Sequence, residues 1–261
     1  MPALASILAE TRTRVAHLEG KGADLATRAR QVPPGPPFLP KLAATVGIIA
    51  EVKRRSPSQG AIRLDLDAVG FARGYEQGGA AAISVLTEER HFGGSLADLQ
   101  RVTAAVSVPV LRKDFIIHEA QIHEARIAGA SAVLLIARIL EPQQLCDLAV
   151  AIRESHMTPL IEVHDAAELD AALSAQPEVL GVNARDLDTL AMNQARAEEI
   201  MRHIPPGVTL VAESGVQSRA DVERLAGCGA DMVLVGTSVA RQDDPEGAVR
   251  ALTGVKRIGR G

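Results

Sequence analysis

The sequence predicts an α/β protein built as a closed (β/α)8 TIM barrel with an N-terminal helical extension, and three observations predict it. Eight brief apolar runs alternate with amphipathic stretches along the chain. Glycine-rich stops recur just ahead of the strands, at Gly78-Gly79-Ala80, Ala128-Gly129-Ala130 and Gly227-Cys228-Gly229-Ala230. A length of 261 residues fits one large barrel domain.

Residues Ser6–Ala29 are expected to form one helix, because Leu8, Val15, Leu18 and Leu25 fall near helical spacing among charged residues. Gln31–Pro40 then breaks the pattern with five prolines and a glycine, which favour extended or turn backbone. This is read as a stiff connector with Phe38 and Leu39 as anchors, so that residues 1–45 pack on a barrel formed by residues 46–261.

The apolar runs are Val46–Glu51, Ala81–Leu86, Val108–Lys113, Ala132–Ile136, Thr158–Glu162, Val179–Asn183, Thr209–Glu213 and Met232–Val235. Between them lie helical patterns at Leu66–Gly78, Leu96–Val106, Glu119–Ala128, Pro142–Glu154, Ala166–Leu173, Ala195–His203 and Arg219–Ala226. Strand-helix alternation means parallel strands with helical crossovers. Glycine suits the left-handed residue that ends a helix, so the recurring glycines mark equivalent positions in successive units. The near-continuous apolar strands argue for a barrel over an open sheet, and the missing G-x-G-x-x-G turn after the first strand argues the same way.

Composition narrows the function. Aromatic residues make up 2% of the chain and the net charge is −4 with both signs mixed, which suits neither base stacking nor a nucleic-acid footprint. Cys146 and Cys228 are isolated and read as reduced thiols, in keeping with a cytoplasmic protein. Met1–Leu8 lacks the pattern of a signal peptide, and no apolar run is long enough to span a membrane. No membrane or nucleic-acid partner is expected, and the protein is expected to be a monomer, with partner enzymes left open.

Side chains alternate faces along a strand, so Glu51 and Lys53 continue the face of Ile49, and Lys113 that of Leu111. Glu162, Asn183 and Glu213 likewise extend the faces of Leu160, Gly181 and Val211. If those partners fill the barrel, the polar residues ring its C-terminal mouth, where barrel enzymes catalyse. Neighbouring ammonium and carboxylate groups shift one another's pKa values and can supply both an acid and a base. A purely structural ion-pair cluster with Arg185 is the competing reading, but burying ions is a weak source of stability.

Glu213-Ser214-Gly215 and Gly236-Thr237-Ser238 follow the last two strands, where such barrels bind phosphate. Lys53–Gly60 is read as a loop over the mouth that offers Lys53 and Ser56 to an anionic substrate. His118 and His123 stand five apart instead of four, which argues against a zinc helix, and Asp165 is read as a helix N-cap. No metal and no cofactor are expected.

Taken together, these motifs resemble the indole-3-glycerol phosphate synthase family. The resemblance rests on Ile49-Ala50-Glu51-Val52-Lys53 with Ser56-Pro57-Ser58, and on Ser84–Glu88 with Phe92 and Gly94-Ser95. Leu111–Phe115, Ile161–His164, Asn183–Leu187 and Ala212–Gly215 complete the set. It implies a lyase of tryptophan biosynthesis that closes the ring of 1-(2-carboxyphenylamino)-1-deoxyribulose 5-phosphate with loss of CO2 and water. It further implies Lys113 as general acid, Glu162 as the second acid-base group, and Lys53, Glu51 and Asn183 as assisting residues. Phe92, Phe115 and Leu134 match an apolar wall for the anthranilate ring, and Arg185 matches a substrate-orienting residue. Ser56, Glu213 and Ser214 match other substrate contacts, and Lys53, Gly215, Gly236 and Thr237 match the phosphate site. Ala184 and Thr237 depart mildly from the family pattern, and position 184 is expected to point away from the interior.

Two other functions compete. A phosphoribosylanthranilate isomerase resembles a cysteine-dependent design, but Glu51 and Lys53 stand after the first strand here. A non-catalytic phosphosugar-binding barrel is expected to lose the Lys113 and Glu162 pair, which this chain keeps.

Overall fold

The computed structural model describes residues 3–39 and 44–260. Eight parallel strands close on themselves: Gly47–Val52, Ala82–Leu86, Val110–Lys113, Ala132–Ile136, Thr158–Val163, Val179–Asn183, Thr209–Glu213 and Met232–Val235. The first strand pairs with both the second and the eighth, so the sheet has no free edge. Each lies within two residues of its expected bounds because each is a short, largely aliphatic block.

Two apolar layers follow from side-chain alternation. Ile49, Leu111, Leu134, Leu160, Val211 and Leu234 fill the barrel, while Ile48, Val85, Val133, Ile161 and Leu210 face the surrounding helices. Burying each such side chain contributes about 1.5–3 kcal/mol, which explains a core that does without tryptophan. Ala184 belongs to the outer layer, facing away from the interior as expected.

The helices begin where local chemistry satisfies their first N–H groups. Asp67 caps α3 (Ala68–Gln77), Ser95 caps α4 (Leu96–Thr103), and Ser218 with Asp221 caps α9 (Arg219–Gly227). Pro142 opens α6 (Pro142–Glu154), where its missing N–H costs nothing. Gly79, Gly129 and Gly229 take φ of +92°, +83° and +87°, the left-handed turn expected before each strand.

Four local features differ from expectation. The single N-terminal helix is two, α1 (Ala3–Glu19) and α2 (Gly22–Gln31), because the chain turns at Gly20-Lys21. The turn lets α2 dock against α5 (Glu119–Ile127). Ala166–Leu173 starts as a 3-10 turn, Ala166–Glu168, before α7 (Leu169–Ser174), because Glu168 folds back to accept from the His164 N–H at 2.7 Å. The loop after the first strand carries a short hairpin pairing Arg55–Ser56 with Gly60–Ala61. Past the eighth strand come α10 (Thr237–Ala240) and α11 (Pro245–Arg250), too short to show helical periodicity. In the proline-rich connector Phe38 is buried as expected, while Pro40 lies outside the described residues, as do Met1 and Pro2 at the start of the N-terminal segment.

Candidate active site

All the residues singled out from the sequence as site candidates line one cavity of about 1000 Å³ at the C-terminal mouth. The register explains the convergence. Leu86 pairs with Lys113, Ile136 with Glu162, Glu162 with Gly181, and Asn183 with Glu213, so the last interior positions of successive strands form a ring.

Lys113 Nζ donates to Glu162 Oε2 at 2.9 Å and lies 3.4 Å from Glu213 Oε2. Burial works to lower the Lys113 pKa, but Glu162, Glu213 and Glu51 outweigh it and hold the ammonium well above the usual lysine range. Burial likewise works to raise Glu162, yet Lys113 and His164 hold that carboxyl well below its ordinary value. Glu213 moves the other way. Burial pushes it up, Lys113 opposes, and the Glu162 and Glu51 charges add, leaving it raised to about 8. Two adjacent carboxyls are thus driven to opposite protonation states, the arrangement that separates an acid from a base.

Lys53 Nζ meets Glu51 Oε1 at 2.6 Å on the far side of the mouth. Two glycines make room for these side chains. A Cβ on Gly181 would lie 2.3 Å from Glu213 Oε1, and one on Gly236 would lie 2.3 Å from Glu51 Oε1 and 2.8 Å from Lys53 Nζ. Ser214 and Gly215 turn the chain after the seventh strand with φ of +69° and +80°. Asn183 Oδ1 accepts from Ser214 Oγ at 2.8 Å and from the Arg185 N–H at 3.0 Å, which fixes the carboxamide between two loops. Ser56 Oγ accepts from the Gln59 N–H at 3.2 Å, and Arg54 ties that loop to Leu66, Gly93 and Asp98.

Phe92 and Phe115 tilt toward one another with centroids 6.2 Å apart, and with Leu134 they make one side of the cavity apolar. Arg185 forms no ion pair with the ring carboxylates. Its Nη1 donates to the Leu190 carbonyl at 2.9 Å, so Arg185 stands outside the cluster that pairs Lys53 with Glu51 and Lys113 with Glu162 and Glu213.

Several contributors escaped the sequence reading. Leu4 and Ile7 of α1 line the cavity, and Arg14 of the same helix reaches Asp114 Oδ2 at 2.9 Å. Their spacing was visible, but nothing in the letters says which face a helix turns to a barrel. Behind Lys113, the fully buried Arg112 donates to Asp114, Thr87 and the Gln121 carbonyl. Behind Glu162, His164 is fully buried.

The histidines of α5 serve that helix. His118 Nδ1 accepts from the Ala120 N–H at 3.1 Å while Gln121 Oε1 accepts from the His118 N–H at 3.2 Å, and His123 lies 3.5 Å from Glu119. Among the described residues Glu10, Glu88 and His91 also come together, but Glu88 already accepts from the N–H groups of Arg90, His91 and Phe92, and Glu10 is paired with Arg90. Asp165 caps the turn at Ala166–Glu168, as expected. Among the described residues no helix is long and apolar enough to cross a membrane.

Comparisons with known proteins bear on the fold and the family. Among solved structures, 3-hexulose-6-phosphate synthase from Salmonella typhimurium is similar with a TM-score of 0.65 and 16% identity, over 79% of this chain and 96% of its own, a likeness of fold alone. The protein named indole-3-glycerol phosphate synthase in Mycobacteroides abscessus is 49% identical over 253 residues, covering 95% of this chain and 93% of its own length. Its namesake in Nocardioides sp. is 47% identical over 259 residues, covering 98% and 100%. A family model described as indole-3-glycerol phosphate synthase matches residues 4–252, and the chain belongs to that family.

Proposed function

We propose that this chain is a carbon-carbon lyase that converts 1-(2-carboxyphenylamino)-1-deoxyribulose 5-phosphate to indole-3-glycerol phosphate, CO2 and water. The observation that carries the reading is the Lys113 to Glu162 contact of 2.9 Å, set in a cavity that also holds Gly215, Gly236 and Thr237.

The substrate phosphate sits against the turns at Gly215 and Gly236-Thr237 with Lys53 beside it, and the aryl ring lies against Phe92, Phe115 and Leu134. Lys113 gives its proton to the ketone oxygen as the ring carbon attacks, and the neighbouring carboxylates keep it in donor form until then. Carbon dioxide departs as aromaticity returns, with the C–C bond electrons flowing into the ring. The new hydroxyl takes a proton from Lys53 and leaves as water, while Glu162, ionised in the free site, accepts the proton released when the pyrrole double bond forms. Glu51 with Lys53 supports this second half, Asn183 and Arg185 orient the substrate, and Ser56, Glu213 and Ser214 complete its contacts.

The enzyme works as a monomer in the cytoplasm on a small phosphorylated substrate and binds no nucleic acid. The net charge of −4 and two isolated thiols support that part of the reading. Purified protein incubated with the substrate should produce indole fluorescence. Lys113→Ala should lose most of the rate and still bind a phosphate analogue, and equal rates in the two proteins would refute the assignment.

A further inference from the structure

His164 is fully buried and touches the ring of charges, and the family resemblance gives it no role. It follows Glu162 by two residues, at the point where the fifth strand turns into Ala166–Glu168. Its Nε2 lies 3.1 Å from Glu162 Oε1, and its Nδ1 lies 3.4 Å from Glu168 Oε2. Glu168 is itself held, accepting from the His164 N–H at 2.7 Å and from Arg138 Nε at 2.6 Å. Arg138 also reaches Asp165 and Asp186. The other Glu162 oxygen is on Lys113, and Glu213 stands beyond it.

A neutral imidazole has one N–H and one lone pair, so it would point a lone pair at one of these carboxylates. Only the doubly protonated ring brings a positive charge to both, although the 3.1 Å Nε2 contact with Glu162 is an ion pair without the alignment of a hydrogen bond. We propose that His164 is a positioning residue for Glu162: as an imidazolium between Glu162 and Glu168, it fixes one carboxylate oxygen so that the other stays on Lys113, and its charge keeps Glu162 ionised. The groups facing the ring are Glu162 from the fifth strand and Glu168 from the following turn, with Arg138, Asp165 and Asp186 behind Glu168, and Lys113 and Glu213 behind Glu162. Burial lowers the ring's pKa, but the two carboxylates outweigh it and raise it to about 9, so the charge is present at neutral pH. Arg138 pairs with Glu168 itself and with Asp165 and Asp186 but not with Glu162, which leaves the ring as the only cation between Glu168 and Glu162 among the described residues.

This rests on Glu162 acting in the reaction, and the test separates the two claims. The kcat of wild type, His164→Gln, Glu168→Gln and Glu162→Gln would be measured from pH 6 to 10. The wild-type to His164→Gln ratio should be about tenfold or more at pH 7 and should shrink toward one as the ring loses its proton near pH 9. KM should change far less than kcat. A structural role alone would give a ratio that does not vary with pH, and that result, or a ratio of one at pH 7, overturns the proposal. Glu168→Gln removes a carboxylate from the ring, so the alkaline fall in kcat should begin at least about one pH unit lower. That arm decides the matter if His164→Gln does not fold, since an unmoved fall overturns the proposal too. Ring nitrogen shifts of the wild type should show both His164 nitrogens protonated at pH 7.5, and a single protonated nitrogen is equally fatal. If Glu162→Gln keeps the wild-type rate, the catalytic reading of Glu162 is what fails. If it loses the rate while the His164→Gln ratio stays flat, only the positioning role does.

Discussion

Replacing Lys113 by Met removes the cation and leaves a side chain of similar length. Glu162 and Glu213 are both buried, and Lys113 is the ammonium they share. In the wild type Glu162 is ionised and Glu213 keeps its proton up to about pH 8. In the variant Glu162 loses its larger charge partner and keeps only His164, so its pKa rises, while the unfolded chain releases the proton above the ordinary glutamate value of 4.5. Relative to its own unfolded chain, the folded variant then holds up to one proton more than the wild type does, so its relative stability must fall as pH rises. One proton changes stability by about 1.4 kcal/mol per pH unit, and over the roughly 2.5 units up to neutrality this comes to at most about 3 kcal/mol. That agrees with the 3–5 kcal/mol typical of removing one partner from a buried ion pair. Urea unfolding at pH 5 and pH 7 measures it. The gap between the proteins should be about 1 kcal/mol or less at pH 5 and up to about 3 kcal/mol at pH 7, and kcat should fall about 10²–10⁴-fold. A gap that does not change with pH would refute the charge assignments, and a retained kcat would refute the role of Lys113.

Gly236→Ala forces the Glu51 and Lys53 pair aside, so kcat/KM should fall about 100-fold and inorganic phosphate should bind more weakly by titration calorimetry. Gly129→Ala places a Cβ at φ +83° and 3.0 Å from Thr103 Oγ1, and urea denaturation should show a loss of about 1–2 kcal/mol with kcat unchanged. His118→Ala removes the α5 cap, lowering stability by about 1 kcal/mol in the same assay and leaving KM as it was.

The barrel was legible because its strands are short aliphatic blocks and its helices stop at glycines, both local signals. The polar ring was legible for the same reason: Glu51, Lys113, Glu162, Asn183 and Glu213 each end or nearly end an apolar run, and alternation assigns the face. What the letters withheld was mostly long-range. Arg14 meets Asp114 across a hundred positions, and no spacing rule connects them. Arg112 was hidden differently, since an arginine in a strand reads as solvent-facing until its buried partners are known. His164 fell between, close to Glu162 in sequence but read past in favour of Asp165, because only packing shows that its ring turns inward. The break at Gly20-Lys21 was missed because one glycine is a weak signal against a long periodic pattern.

The helix α1 lies outside the closed sheet, yet Leu4 and Ile7 complete the apolar side of the chamber and Arg14 braces the residue next to Lys113. Scaffold and enclosure are therefore written in different stretches of the chain. Substitutions at Leu4 or Ile7 reshape a wall of the chamber without replacing any charged residue of its mouth.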